Sequence, residues 1–195
     1  MSSEVALCNL ALSHLGQGGI SSLDENSTEA ELCKLAYPVS RDATLRDHPW
    51  NFAMRREPLA LLADEAPPGW DYVYQYPADC LAARYILPEC GVGKPPFEIA
   101  LGSGGMQRIV LTDEPSAWLA YTARVKDTTL FDPLFVQAVA VRLASDLAQP
   151  ITGEGTKQQN LLRLYEGLLD MARQADANEG RVAAPPGSAF LEARQ

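Results

Sequence analysis

Residues 41–53 read R-D-A-T-L-R-D-H-P-W-N-F-A. The run begins as helix and ends as something else. Pro49 has no N–H to donate and disfavours helical geometry at His48, so the helix carrying Leu45 should stop near Asp47. Trp50 and Phe52 follow as an alternating apolar pair and read as the first anchors of a strand entering the core. Pro49, Trp50 and Phe52 are therefore the structural anchors of a helix-to-strand joint, which divides the chain into a helical part upstream and a β-rich part downstream.

Upstream, Val5, Cys8, Leu12 and Leu15 fall at helical spacing, widened by Leu7, Leu10 and Ala11. The spacing predicts a helix over residues 3–15, nearly apolar all round and ended by a left-handed turn at Gly16. Thr28 and Glu31 have the spacing of a capping box for a second helix, with Ser27 as the competing cap. That helix should carry Leu32, Leu35, Ala36, Val39, Ala43 and Leu45 toward the core. Pro38 lies inside it, so a kink or break is expected near Tyr37. The opposite face holds Arg41, Asp42, Arg46 and Asp47, and reads as a solvated face with an Asp42–Arg46 pair one turn apart.

Downstream, short aromatic and branched runs broken by Pro and Gly suggest strands at 50–55, 58–63, 70–76, 82–87, 97–101, 107–112 and 117–125. The clearest hairpin joins F-E-I-A-L to Q-R-I-V-L-T across G-S-G-G. Neither that turn nor G-V-G-K-P-P has the P-loop pattern, because Pro95 stands where Ser or Thr is required. Tyr72, Tyr74 and Tyr76 alternate on one strand face. No basic residue is interleaved with them, so core packing is favoured over base stacking.

Asp132 followed by Pro133 is an N-cap with proline at the first helical position, launching a third helix to about Ala148 with Phe135, Val139, Leu143 and Leu147 on one face. After P-I-T-G-E-G a fourth helix carries Leu161, Leu164, Tyr165, Leu168, Leu169 and Ala172. Residues 180–195 contain two prolines and read as an extended tail. The expected fold class is α+β: a bundle of about four helices from both ends of the chain (1–49 and 131–179), with a β-rich insertion over about 50–130.

A chain of 195 residues with 47% hydrophobic and 21% charged residues fits one globular domain. No run spans a bilayer and the start lacks the pattern of a signal peptide, so no membrane contact is expected. A net charge of −9 argues against a basic groove that grips nucleic acid. Cys8, Cys33, Cys80 and Cys90 show no zinc spacing and read as free thiols. His14 and His48 have no nucleophile motif beside them, and the pairs Asp24/Glu25 and Asp64/Glu65 sit in turn-like sequence without an apolar pocket. No catalytic residue, cofactor or metal ligand is assigned.

Four stretches then carry a resemblance: N-L-A-L-S-H-L-G (9–16) with I-S-S-L-D-E (20–25), the H-P-W-N-F-A run, W-D-Y-V-Y-Q-Y-P-A-D-C-L (70–81), and F-D-P-L-F (131–135) opening a helix with L-A-S-D-L-A. In this order, over residues 5–175, they resemble the tail tubular protein A family, the head–tail adaptors of short-tailed bacteriophages. The resemblance implies a structural virion subunit with no enzymatic activity. It would form a homo-oligomeric ring, expected to be twelve-fold, between the portal protein and the tail nozzle protein. DNA would pass through the bore without specific binding, past an acidic wall. The protein would reside in host cytoplasm before assembly and in the virion tail after it. On this reading Arg41, Asp42, Arg46 and Asp47 become candidates for an intersubunit ion-pair ladder, and Phe190, Leu191 and Arg194 for a tail contact with the portal or a neighbour. The rival readings are a prophage-derived interaction protein and an enzyme holding a small ligand in the β-rich lobe.

Overall fold

The computed structural model describes residues 3–88 and 93–179. Among them are four α-helices and two small antiparallel sheets, a mixed α+β fold. In chain order the elements are α1 (Glu4–Leu15), α2 (Thr28–Asp47), β1 (Met54–Pro58), β2 (Tyr72–Gln75), β3 (Cys80–Leu87), β4 (Phe97–Leu101), β5 (Arg108–Thr112), β6 (Trp118–Ala123), α3 (Pro133–Thr152) and α4 (Gly155–Glu179).

The helices begin and end where local chemistry dictates. Ser3 caps α1 by accepting from the Ala6 N–H, and Gly16, at φ 74°, closes it in the left-handed conformation that only glycine adopts without strain. Asp132 caps α3 by accepting from the Leu134 and Phe135 N–H groups, with Pro133 at the first position. Helix α3 packs against α1, α2 and α4. Leu12, Cys33, Leu45, Trp50, Phe135, Leu143 and Tyr165 meet in one apolar core.

One sheet has the order β1-β6-β3 and the other β2-β5-β4. Period-two alternation decides what each face covers. Tyr74, Tyr76 and Val110 of the second sheet share a core with Ile86, Leu119 and Tyr121 of the first. Val73, Ile109 and Leu111 point the opposite way and are covered by Leu62 and Trp70. The β4–β5 hairpin turns through the expected G-S-G-G, with Gly105 at φ 66° and the Gly102 N–H bonded to the Gln107 carbonyl at 2.9 Å.

Several expectations are corrected. Trp50 and Phe52 do not start a strand. Residues Asn51–Ala53 form a 3₁₀ turn and the strand begins at Met54, which lets both rings face helical Phe135, at 5.0 Å each, instead of a sheet. The segment after Pro58 is not a strand but crosses between the sheets. The Leu59 N–H bonds Ala117 of one sheet's neighbourhood, and Leu62 bonds Val73 of the other. Helix α2 runs unbroken through Pro38. The proline and Lys34, whose carbonyl loses its partner, are both exposed, so water satisfies that carbonyl. Its cap is Ser27, which accepts from the Ala30 N–H, not Thr28. Helix α3 continues through Pro150 to Thr152, leaving Gly153 and Glu154 as the connection to α4, where Leu164 is exposed.

The largest correction concerns the face of α2. Its buried side is Ala30, Cys33, Tyr37, Ser40, Arg41, Thr44 and Leu45. Leu35 and Val39 are 75% and 68% exposed.

Candidate functional site

Proline-terminated helices lack a left-handed cap, and α2 shows the consequence. His48 is extended (φ −145°, ψ 151°), so the carbonyls of the last turn have no partner within the helix. Side chains from the following turn and from two distant segments supply donors. The Trp50 indole N–H donates to the Thr44 carbonyl at 3.0 Å, Arg84 of β3 to the Arg46 carbonyl at 2.8 Å, and Arg173 of α4 to the Asp47 carbonyl at 3.2 Å. Two of the three donors are arginines, as the negative end of a helix dipole favours.

A second clasp sits beside it. Asp176 of α4 accepts from the Asn51 backbone N–H at 2.8 Å and lies 3.1 Å from His48 Nε2, while the Asn51 side chain donates to the Asp176 carbonyl at 2.6 Å. Replacing Asp176 with alanine leaves the Asn51 N–H without its acceptor. The expected cost is about 1–3 kcal/mol, read as a lower denaturant midpoint, with Asp176→Asn losing less.

The four α2 residues proposed for a ladder are largely engaged within the chain. Arg41 is 4% exposed. Its guanidinium donates twice to Asp42, at 2.9 and 2.8 Å, and lies over the Tyr37 ring at 5.6 Å. Asp42 binds Arg124 at 2.7 Å instead of Arg46, so the expected pair one turn apart does not form. Asp47 accepts from the Tyr165 hydroxyl at 2.6 Å, and Arg46 donates to the Leu81 carbonyl. The face carries struts from α2 to β3, to the segment after β6 and to α4; Arg41 is buried, whereas Arg46 and Asp47 remain exposed, as a solvated face has them.

Those struts border an open groove of about 450 Å³ between α2 and the strands, lined by Val39, Asp42, Ala43, Arg46, Cys80, Leu81, Arg108 and Arg124. The Arg108 guanidinium carbon lies over the Tyr76 ring, 4.0 Å from its centroid. It has no hydrogen-bond or ion-pair partner among the described residues. Arg46 has only its carbonyl partner and no carboxylate. On a chain of net charge −9, three arginines converge on one apolar-floored depression. Sequence reading missed Arg84, Arg108 and Arg124 because strand register alone places them beside α2, and no local pattern announces it.

Other candidates fall away or change character. Asp64 and Glu65 do border a cleft floored by Val73, Ile109 and Leu111. Its volume of about 190 Å³ is below the roughly 300 Å³ at which ligand pockets begin. Tyr74 and Tyr76 are buried. Cys8, Cys33 and Cys80 are free and buried, and the contact with Cys33 together with burial pushes the Cys8 thiol up. Phe190, Leu191, Arg194 and Cys90 lie outside the described residues. Among the described residues no cluster of His, Cys, Asp or Glu could hold a metal ion, and no helix is long and apolar enough to cross a membrane. The chain matches no protein-family model and no curated protein.

Proposed function

We propose that the protein is a head-to-tail adaptor subunit of the tail tubular protein A type. It packs side by side with copies of itself into a ring between a portal and a tail nozzle, with DNA passing through. In this reading α1–α4 are a helical bundle and residues 50–130 an insertion that faces the tail or the bore.

The observation that carries the reading is how the stretches behind the resemblance are used in the fold. They meet as joints. Asn9 of the first clamps Ile20, donating to its carbonyl at 2.9 Å and accepting from its N–H at 2.7 Å. Trp50 and Phe52 of the second interlock with Phe131 and Phe135 of the fourth, at centroid separations of 5.0–5.7 Å in three pairs. Asp79 of the third binds Arg55 at 2.9 Å and lies 3.0 Å from the Tyr121 hydroxyl.

The surface supports an assembly role as well. Leu35 and, at the rim of the arginine groove, Val39 stand exposed one turn apart on α2, Leu164 and Met171 stand exposed two turns apart on α4, and Met106, 96% exposed, tips the β4–β5 hairpin. Neighbouring apolar side chains of this size mark surfaces that a partner covers. The test is negative-stain microscopy with mass measurement of the protein alone and mixed with the portal encoded beside it. Rings, alone or on the portal, are expected. A protein that stays monomeric and ignores the portal at every salt concentration would exclude the adaptor role.

A further inference from the structure

Helix α2 separates its charges. It is 20 residues long, about 30 Å from end to end. Glu29 and Glu31 stand at its start, beside Asp24, which Lys34 neutralises at 2.6 Å, and Arg46, Arg84, Arg108 and Arg124 gather at its end around Asp42 and Asp47. Each set complements the dipole of its own end of the helix. A consequence reaches beyond the single chain: two copies placed head to tail along this face bring opposite charges together.

The groove at the basic end is short of carboxylates. Its single acidic group, Asp42, is already shared by Arg41 and Arg124. Arg108 contacts the Tyr76 ring and no carboxylate, and Arg46 has its carbonyl contact only. At the other end, Glu31 is exposed and its carboxylate has no hydrogen-bond or ion-pair partner among the described residues, and Leu35 lies one turn beyond it. We propose that the arginine groove receives the acidic start of α2, led by Glu31, from a second copy of the chain. The contact is heterologous, so repeating it makes a ring where the rotation closes.

The chemistry of the groove favours this occupant over a nucleic-acid strand. A phosphate track needs a succession of positive charges, whereas this depression is about 450 Å³ with Val39, Ala43 and Leu81 in its lining and a carboxylate already present. An acidic helix start flanked by Leu35 brings both a carboxylate and an apolar neighbour. The inference rests on the ring-subunit reading and names the faces that meet in it.

The test uses full-length protein with Cys90→Ser, which removes the cysteine not shown to be buried. Leu35→Cys protein is mixed with Ala43→Cys protein under mild oxidation at low salt, which keeps Glu31 and Arg108 in place. Disulfide-linked heterodimer is expected at about tenfold the yield of Glu154→Cys mixed with Ala43→Cys, the ratio that about 1.4 kcal/mol of specific interaction supplies. High salt should suppress it. One chain carrying both Leu35→Cys and Ala43→Cys should give a ladder of oligomers. A closed dimer instead of a ladder would mean an antiparallel pair of α2 helices and overturn the head-to-tail contact. So would rings on the portal without cross-links, an outcome that leaves the adaptor reading intact. A ladder from a protein that ignores the portal would uphold this contact while the adaptor reading fails. Charge reversal closes the test: Arg108→Glu and Glu31→Arg should each lower association, and mixing the two should restore it.

Discussion

Replacing Trp50 with alanine should destabilise the protein by about 3–5 kcal/mol, a large part of the total stability of most single domains. Trp50 is 1% exposed and sits against Phe135 at 5.0 Å, Phe52 at 6.1 Å and the His48 ring at 4.8 Å. Truncation empties a cavity bounded by aromatic side chains that are themselves anchored in other elements, so the site has little freedom to collapse. It also removes the donor to the Thr44 carbonyl. Trp50→Phe separates the two effects: it keeps most of the packing and loses the N–H, for an expected cost of about 1–2 kcal/mol. Circular dichroism in a denaturant series gives both values as midpoint shifts at constant slope. A Trp50→Ala protein within 1 kcal/mol of the parent would show that the aromatic joint is not what ties α2 to the strands.

The same residue shows what a sequence exposes and what it hides. Pro49 announces the end of α2 because its effect is covalent and local, and Asp132-Pro133 announces the start of α3 for the same reason. The β4–β5 hairpin is legible because glycines at 102, 104 and 105 and alternation on both sides agree. What Trp50 does after the helix ends depends on Phe135, more than eighty positions away, and nothing near Trp50 says that a 3₁₀ turn will precede the strand.

Helix α2 is the clearest failure of periodicity. Its apolar residues allow two faces, and the one with Leu35 and Val39 looks the more hydrophobic. The fold buries the other, because Arg41 can be neutralised there by Asp42, stacked on Tyr37 and approached by Glu4 at 3.9 Å, while Ser40 donates to Asp146 of α3 at 2.7 Å. A buried arginine becomes tolerable only when its partners are in place, and those partners come from α1, from the neighbouring residue and from the aromatic beneath it. The groove follows from that choice. Once Arg41 turns inward, Val39, Asp42 and Arg46 turn toward the strands, and the arginines of β5 and of the segment after β6 find themselves opposite.

Alkaline pH should unfold the protein by way of its tyrosines. Tyr165 is buried and hydrogen-bonded to Asp47, which together push its phenol up to about 12, and burial beside Cys80 does the same for Tyr76. Burial also pushes up Tyr37, and Tyr121, which lies 3.0 Å from both Glu57 and Asp79, through burial and those two carboxylates. In the unfolded chain each phenol ionises near the ordinary value of 10. Below that value both states hold the proton and the stabilisation is complete. Between about 10 and 12 the unfolded chain releases protons that the folded chain keeps, so stability falls as pH rises. For Tyr165 alone the displacement amounts to about 2 kcal/mol by the upper end of that window. The phenolate absorbance contributed by Tyr37, Tyr76, Tyr121 and Tyr165 should therefore rise in one cooperative step that coincides with loss of helical circular dichroism. Tyr165→Phe removes one of these groups and should move the step to higher pH while costing the Asp47 hydrogen bond at neutral pH. A smooth titration of all seven tyrosines with the helices intact would show that Tyr37, Tyr121 and Tyr165 reach solvent without unfolding, and that the core they occupy opens locally.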